Sequence, residues 1–183
     1  MLRITLAAAS AIAALLLPWS STAAGQPQPA QPASAATATL AIPTSVEASH
    51  RQLQARLAAI KNAGGRTGAA ALELDRLLQP HFRKEEQLAM PLLGLLPGLA
   101  QGAMAADRPG ALALADRLRA EMPAMLREHQ DIATAIGTLR RAAQEDGNTD
   151  AAAFADQLAA HAAEEEQILY PGALLVGANL RTR

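Results

Sequence analysis

All four histidines of this 183-residue chain lie on apolar helical faces, at His50, His81, His129 and His161. A single histidine on such a face is more often a core residue than a ligand, but four of four need a shared reason. Glu85 follows His81 by four residues, and Glu165 follows His161 by four, so each pair projects from one side of a helix. Buried carboxylates are costly unless they are paired or bind a metal. The pattern therefore predicts a metal site with nitrogen and oxygen ligands.

The order of these residues also repeats along the chain. His50 and His81 are 31 residues apart, and His129 and His161 are 32 residues apart. The segment 81–91 aligns with the segment 161–171, and the two share His, Glu, Glu, Gln and Pro. This indicates a duplicated helix pair in which each half supplies His…HisxxxGlu. Folding the halves together brings four imidazoles and two carboxylates to one centre, which is the ligand inventory of a two-metal site.

Four amphipathic helices are predicted to carry these residues. Thr44 and Glu47 form the pattern of a capping box at the start of the first helix. Pro80 is expected to kink the second helix, and Pro123 to kink or split the third. The fourth helix is predicted to end at Pro171. Because the loops are mostly short, the fold class is all-α, an antiparallel four-helix bundle with a pseudo-twofold internal repeat.

The composition excludes several classes of protein. The net charge of −1 does not provide a basic nucleic-acid surface, and only 2% of residues are aromatic, which argues against base-stacking platforms. No cysteine is present, so disulfides, thiol nucleophiles and cysteine-held clusters are excluded. Half of the residues are hydrophobic, mostly Ala and Leu, which favour helices. We therefore expect no nucleic-acid partner.

The first part of the chain has the pattern of an export signal. Residues 1–24 have a positive start, an uncharged apolar run and small residues before the cleavage region, which predicts a signal peptide. The alternative is a membrane anchor, but the apolar run is short against the roughly 20 residues that a spanning helix needs. The domain organisation predicted is a Pro/Ala/Gln-rich linker at 25–43, a helical domain at 44–176 and a tail at 177–183. The protein is expected to be exported, periplasmic or secreted, with no membrane anchor after processing.

From about Thr44 to Leu175 the chain resembles the hemerythrin-like HHE cation-binding family, in its ligand order and its half-repeat. The resemblance implies a non-haem di-iron centre inside a four-helix bundle. It implies terminal nitrogen ligands and two bridging carboxylates, which are His50, His81, His129 and His161 with Glu85 and Glu165. The spacing differs from the Glu-x-x-His pattern of ferritin-like di-iron proteins.

One position departs from the oxygen-carrying members of that family. They have a further histidine four residues after the third-helix histidine, where this chain has Ala133. They also place an Asp at i+5 in the fourth helix, where this chain has Glu165 at i+4. The sequence therefore looks more like the symmetric branch with four histidines and two glutamates, which includes iron–sulfur repair proteins. High-affinity oxygen carriage is not expected.

Counting ligands gives the predicted chemistry. Two histidines and two shared carboxylates give each metal four protein bonds, which leaves room for an oxo or hydroxo bridge and one exogenous ligand. An open position is typical of catalytic or ligand-binding metal sites. The sequence thus favours a di-iron module that meets O₂, NO or peroxide as a sensor, scavenger or carrier. The alternatives are iron storage, delivery or metal-centre repair, and a peroxidase-like oxidoreductase. The enzyme ranks last, because no separate substrate pocket, acid or base is recognisable.

Three neighbouring residues are given minor roles by the sequence. Glu86 and Glu166 are assigned to a solvated face, with the alternative that they hold the outer nitrogen of a histidine. Tyr170 is expected only to pack at the end of the bundle.

Overall fold

The computed structural model describes residues 40–103 and 105–182. The predicted signal peptide at 1–24 and nearly all of the predicted linker at 25–43 lie outside this range. Among the described residues, no helix has both the length and the apolar character that crossing a membrane requires.

The described chain is helical throughout and forms an antiparallel four-helix bundle, which confirms the predicted fold class. The elements in chain order are α1 (Thr44–Lys61), α2 (Gly65–Leu88), α3 (Met90–Leu93), α4 (Leu96–Ala100), α5 (Arg108–Glu145), α6 (Thr149–Glu164), a π-helix (Glu165–Leu169) and α7 (Tyr170–Thr182). The bundle helices are α1, α2, α5 and the continuous run from α6 to α7. The short helices α3 and α4 lie in the connection between the second and third bundle helices.

Pro123 does not split the third bundle helix, because it lies inside α5, a single helix of 38 residues. Of the two outcomes expected at Pro123, a kink or a split, the split is therefore excluded. The capping box is not formed, because the helix begins one residue early, with Pro43 at the N-cap, so Thr44 already lies in the first turn. The Glu47 carboxylate instead accepts a hydrogen bond from Arg51 one turn later, at 2.8 Å.

The bundle core consists of two apolar layers with a polar layer between them. One layer packs α1, α2, α5 and α6 together through residues such as Leu57, Leu74 and Phe154. The other joins the end of α2, α3, the first half of α5 and α7, through residues such as Leu118 and Val176. The apolar layers close the bundle on both sides of the buried histidines and glutamates, so water has little access to them.

The fourth bundle helix is longer than the sequence indicated. The predicted tail at 177–183 continues α7 as far as Thr182, and Gly177 and Leu180 are buried in it. A Cβ on Gly177 would come within 2.5 Å of the Ala115 Cβ, so α5 and α7 pack closely here. The tail assignment is therefore corrected, because its apolar face completes the second core layer.

We expect Leu180→Ala to lower the free energy of unfolding by about 2–5 kcal/mol, the usual range for a buried Leu truncated to Ala. The matched control is Leu175→Ala in the same helix, because the Leu175 side chain is 66% exposed. Urea unfolding of the metal-free variants, followed by circular dichroism, measures both. Equal effects of the two substitutions would show that residue 180 does not belong to the core.

Candidate metal centre

The six sequence-predicted ligands converge on the polar layer between the two apolar cores. α1 supplies His50, α2 supplies His81 and Glu85, α5 supplies His129, and the last bundle helix supplies His161 and Glu165. Five of them are buried, and His161 is 11% exposed. The ligand atoms form two groups, each within 4.8 Å, and Glu165 belongs to both.

The Glu165 carboxylate is divided between two pairs of histidines. Its Oε1 lies 3.2 Å from His50 Nε2 and 2.8 Å from His161 Nε2. Its Oε2 lies 3.5 Å from His129 Nε2. One oxygen therefore faces each pair, as a bridging carboxylate requires.

The Glu85 carboxylate is divided in the same way. Its Oε1 lies 3.4 Å from His81 Nε2 and 4.0 Å from His129 Nε2, and its Oε2 lies 3.5 Å from His50 Nε2. Two candidate metal positions follow. We call them the 81/129 position, after His81 and His129, and the 50/161 position, after His50 and His161. Each takes one histidine from each half of the repeat, which the sequence alone did not show.

Several buried atoms of the cluster lack partners that a cation would supply. Glu85 Oε2 is buried and has no hydrogen-bond partner among the described residues. His81 Nε2 and His129 Nε2 face each other at 2.8 Å, so only a shared proton or a cation relieves their lone-pair repulsion. Imidazole and carboxylate donors without thiolate suit iron among other divalent metals. The residues present therefore fit the implied di-iron group.

The metal-free cluster is held together by charge. Burial by itself raises the pKa of Glu165, but hydrogen bonds and charges from His161 and His50 lower that pKa to about 2. Burial lowers the pKa values of His81 and His161, and their glutamate neighbours, Glu85 and Glu165 first, outweigh it and raise them. The buried glutamates and these histidines therefore stabilise each other's charged forms.

A π-helix marks the fourth bundle helix directly after its last histidine. Pro171 has no backbone N–H, and its ring crowds the carbonyl four residues earlier, which favours a wider turn. The π turn from Glu165 to Leu169 adds one residue to the repeat. Consequently Tyr170 is buried on the side of Glu165, whereas Ile168 is 61% exposed. π-helical turns are frequent at functional sites.

Tyr170 is the site residue that the sequence analysis missed. Its hydroxyl donates a hydrogen bond to Glu85 and lies 3.0 Å from His129 Nε2. Burial and the nearby Glu85 and Glu165 charges raise the pKa of the Tyr170 hydroxyl, so it remains a donor. The expectation that Tyr170 only packs at the bundle end was wrong, because a regular helix of 3.6 residues per turn would not bring Tyr170 to the face of Glu165. In the sequence, Pro171 was the residue that could have indicated the irregular turn.

Acidic side chains hold the outer nitrogens of two histidines. His81 Nδ1 lies 2.9 Å from a Glu128 oxygen, and His129 Nδ1 lies 2.9 Å from a Glu166 oxygen. His50 Nδ1 lies 3.4 Å from a Glu86 oxygen but forms no hydrogen bond with it. Of the two glutamates assigned to a solvated face, Glu166 therefore holds a histidine, whereas Glu86 only lies close to one. Such partners fix ring orientation and raise ligand basicity.

A small cavity adjoins the two shared carboxylates on the side of the second core layer. Glu85, Glu165 and Tyr170 line it together with apolar residues that include Met90 and Leu93. Its volume is about 10 Å³, which is close to the space that one water molecule needs. Met90 and Tyr170 occupy equivalent positions in the two halves of the repeat. The cavity admits molecules of only a few atoms.

Comparison with known families decides the membership of the chain. The sequence model described as the hemerythrin HHE cation binding domain matches residues 42–173, which is most of the chain and all six residues of the cluster. The chain belongs to this family. No curated protein and no solved structure matched it. As a hemerythrin HHE domain, it carries a buried His/Glu cluster that could bind metal.

The structure of this hemerythrin domain also clarifies the position of the absent fifth histidine. Ala133 lies on the exposed side of α5, between the buried Ile132 and Ile136. Among the described residues, no ligand comes from that turn. Ala133→His would therefore place the new side chain on the solvent side of α5 and not beside His129.

We expect Tyr170→Phe to leave the metal content of the hemerythrin domain unchanged, and to weaken or shorten any complex that the metal-loaded domain forms with O₂ or NO. The substitution keeps the ring and removes only the hydroxyl beside Glu85 and His129. A lost hydrogen bond to a charged group costs about 1.5–3 kcal/mol. Stopped-flow dissociation rates at equal metal content measure the change. If the variant lost metal, and its metal-loaded fraction released the small ligand at the normal rate, Tyr170 would serve metal retention and not ligand binding.

Proposed function

We propose that this hemerythrin HHE domain holds two iron ions and binds O₂, NO or peroxide as a sensor, scavenger or carrier. The observation that carries the proposal is the division of both buried carboxylates between the two histidine pairs. Glu165 Oε1 faces His50 and His161, and its Oε2 faces His129. Glu85 Oε1 faces His81, and its Oε2 faces His50. A single-metal site has no use for two carboxylates arranged in this way.

The bound irons would supply redox chemistry and open coordination positions for a small ligand. The ligand residues would be His81 and His129 at one position, His50 and His161 at the other, and Glu85 and Glu165 at both. Iron is favoured by imidazole and carboxylate donors in near-octahedral number, and the absence of thiolates removes a preference for soft ions.

The protein's own residues support a small, uncharged or weakly polar ligand. The cavity of about 10 Å³ beside Glu85 and Glu165 is lined by apolar side chains, which exclude bulk water and larger molecules. The Tyr170 hydroxyl borders this cavity and can turn its hydrogen bond toward an incoming oxygen or nitrogen atom. This combination favours diatomic molecules and peroxide over organic substrates.

Iron storage, delivery or repair is the second candidate. It is favoured by the position of His161, which is partly exposed and lines a surface pocket. A peroxidase-like oxidoreductase is the third candidate, and it requires that the protein consumes peroxide catalytically.

We also propose export to the periplasm or exterior, supported by the signal-like sequence at 1–24, so the iron would be acquired outside the cytoplasm.

The test is the iron content of native protein with its absorption spectrum before and after O₂, NO and peroxide. A ligand-binding module gives two irons per chain and a reversible spectral change at constant iron content. Transfer of iron to a chelating acceptor protein favours metal handling, and continuous consumption of peroxide with a reductant favours an enzyme. The control is Glu85→Ala combined with Glu165→Ala, which removes both shared carboxylates. One iron or none per chain in native protein contradicts the di-iron proposal.

A further inference from the structure

The two candidate metal positions differ in how firmly their histidines are held from outside. At the 81/129 position, both outer nitrogens have a carboxylate at 2.9 Å, from Glu128 and Glu166. At the 50/161 position, the Glu86 carboxylate is 3.4 Å from His50 Nδ1. Among the described residues, His161 Nδ1 has no acidic partner within 4.0 Å. Carboxylates therefore hold both histidines at the 81/129 position, whereas neither histidine at the 50/161 position is held in this way.

The internal repeat explains this difference residue by residue. Aligning His50 with His129 places Ser49 opposite Glu128, each directly before its histidine. Aligning His81 with His161 places Lys84 opposite Glu164. Beside His81, Glu128 contacts the histidine and forms an ion pair with Lys84. Beside His161, Ser49 takes the place of Glu128, and Glu164 takes the place of Lys84. Ser49 is too short to supply the missing carboxylate.

The same replacement opens a route from solvent to His161. A pocket of about 160 Å³ is lined by Ser45, Ser49, His161 and Glu164, with two apolar side chains. Two hydroxyls and a carboxylate are hard oxygen donors that attract a hydrated divalent cation. The pocket next to Lys84 is lined by Arg83, Arg117 and Glu121 as well, so three cationic side chains outnumber one carboxylate there and disfavour the entry of a cation.

From these contacts we infer that the 50/161 position is the exchangeable one, and that metal ions enter and leave through the pocket beside His161. The 81/129 position is the retained one. The inference rests on the proposed function, because it requires that the cluster binds two metal ions. It adds that the two ions are unequal, although the six ligands themselves are arranged symmetrically. The residues responsible are Ser49 and Glu164, which line the pocket, leave His161 without an outer carboxylate and are not themselves ligands.

The experiment loads the metal-free protein with two equivalents of Zn²⁺ and follows metal loss to an excess of a coloured chelator. We expect two phases of equal amplitude, one ion leaving fast and one slowly. Outer partners of metal-bound histidines change metal affinity by about 10–100-fold, so the two rates should differ by a similar factor.

Reciprocal exchange of the supporting residues assigns the phases. Ser49→Glu with Glu164→Lys recreates the pair found beside His81, and both ions should then leave slowly. Glu128→Ser with Lys84→Glu removes that pair, and both ions should leave fast. Glu121→Ser is the matched control, because Glu121 contacts Lys84 at 3.6 Å but no histidine, and it should change neither phase. The exchanged side chains lie at the surface or are partly exposed, and circular dichroism checks the fold of each variant.

The outcomes separate the inference from the function on which it rests. If the unmodified protein never takes up two ions, the two-metal function fails. If the unmodified protein takes up two ions and releases them in a single phase, the function stands and the inference is overturned. The same holds if neither double variant changes the rate of metal release. An effect of Ser49→Glu with Glu164→Lys on the slow phase instead of the fast one would also overturn it.

Discussion

Glu165→Ala is expected to remove both metal ions, whereas His50→Ala is expected to remove one. The Glu165 carboxylate faces both histidine pairs, at 2.8 Å and 3.2 Å on one side and 3.5 Å on the other. His50 belongs to one metal position only. Because a shared carboxylate contributes a bond to each ion, its loss weakens both positions, and it also exposes the two ions to each other's charge without compensation.

Elemental analysis of protein purified after loading with Fe²⁺ under anaerobic conditions measures this effect. Glu73→Ala is the control, since that glutamate is 64% exposed on the outer surface of α2 and should keep both ions. Glu85→Ala should behave like Glu165→Ala, because its two oxygens are divided in the same way. Equal metal loss from all six single ligand substitutions would exclude bridging roles for the two glutamates.

Metal removal is expected to have the largest effect on stability. In the apoprotein, two carboxylates and four imidazoles lie in one layer of the core, with five of the six residues buried, and must share protons. Ligands that bind only the folded state stabilise it by mass action, by about 2.7 kcal/mol for each site at a hundred times its dissociation constant. Two filled positions should therefore add about 5 kcal/mol to the free energy of unfolding.

Chemical unfolding of apoprotein and of protein loaded at defined free-metal concentration measures this difference. The variant Glu85→Ala with Glu165→Ala should show little or no stabilisation on addition of metal. If loaded and metal-free protein unfold at the same denaturant concentration, the buried cluster does not bind metal in the folded state.

Much of this organisation follows from the sequence because the spacing of the histidines and glutamates is strongly constrained. A histidine and a glutamate four residues apart must share a helix face, and the repeat of this unit brings both faces to the bundle centre. The structure accordingly brings together all six residues that the spacing selected. Their roles as metal ligands stay predictions until metal is measured.

Other features depend on contacts between elements that no spacing rule contains. Pairing of His81 with His129, and of His50 with His161, depends on which helices are neighbours. Tyr170 enters the site because Pro171 widens the preceding turn, which shifts the helical period by one residue. The length of α7 depends on the packing of Leu180 against the second core layer. A single apolar residue in a short terminal segment does not predict such packing.

Crystallography of the iron-loaded protein with anomalous diffraction at the iron edge would locate each metal ion relative to the six residues of the cluster. We predict two anomalous peaks in the polar layer, one beside His81 and His129 and the other beside His50 and His161, with the carboxylates of Glu85 and Glu165 contacting both. A single peak, or two peaks that share neither glutamate, would exclude a di-iron centre bridged by Glu85 and Glu165.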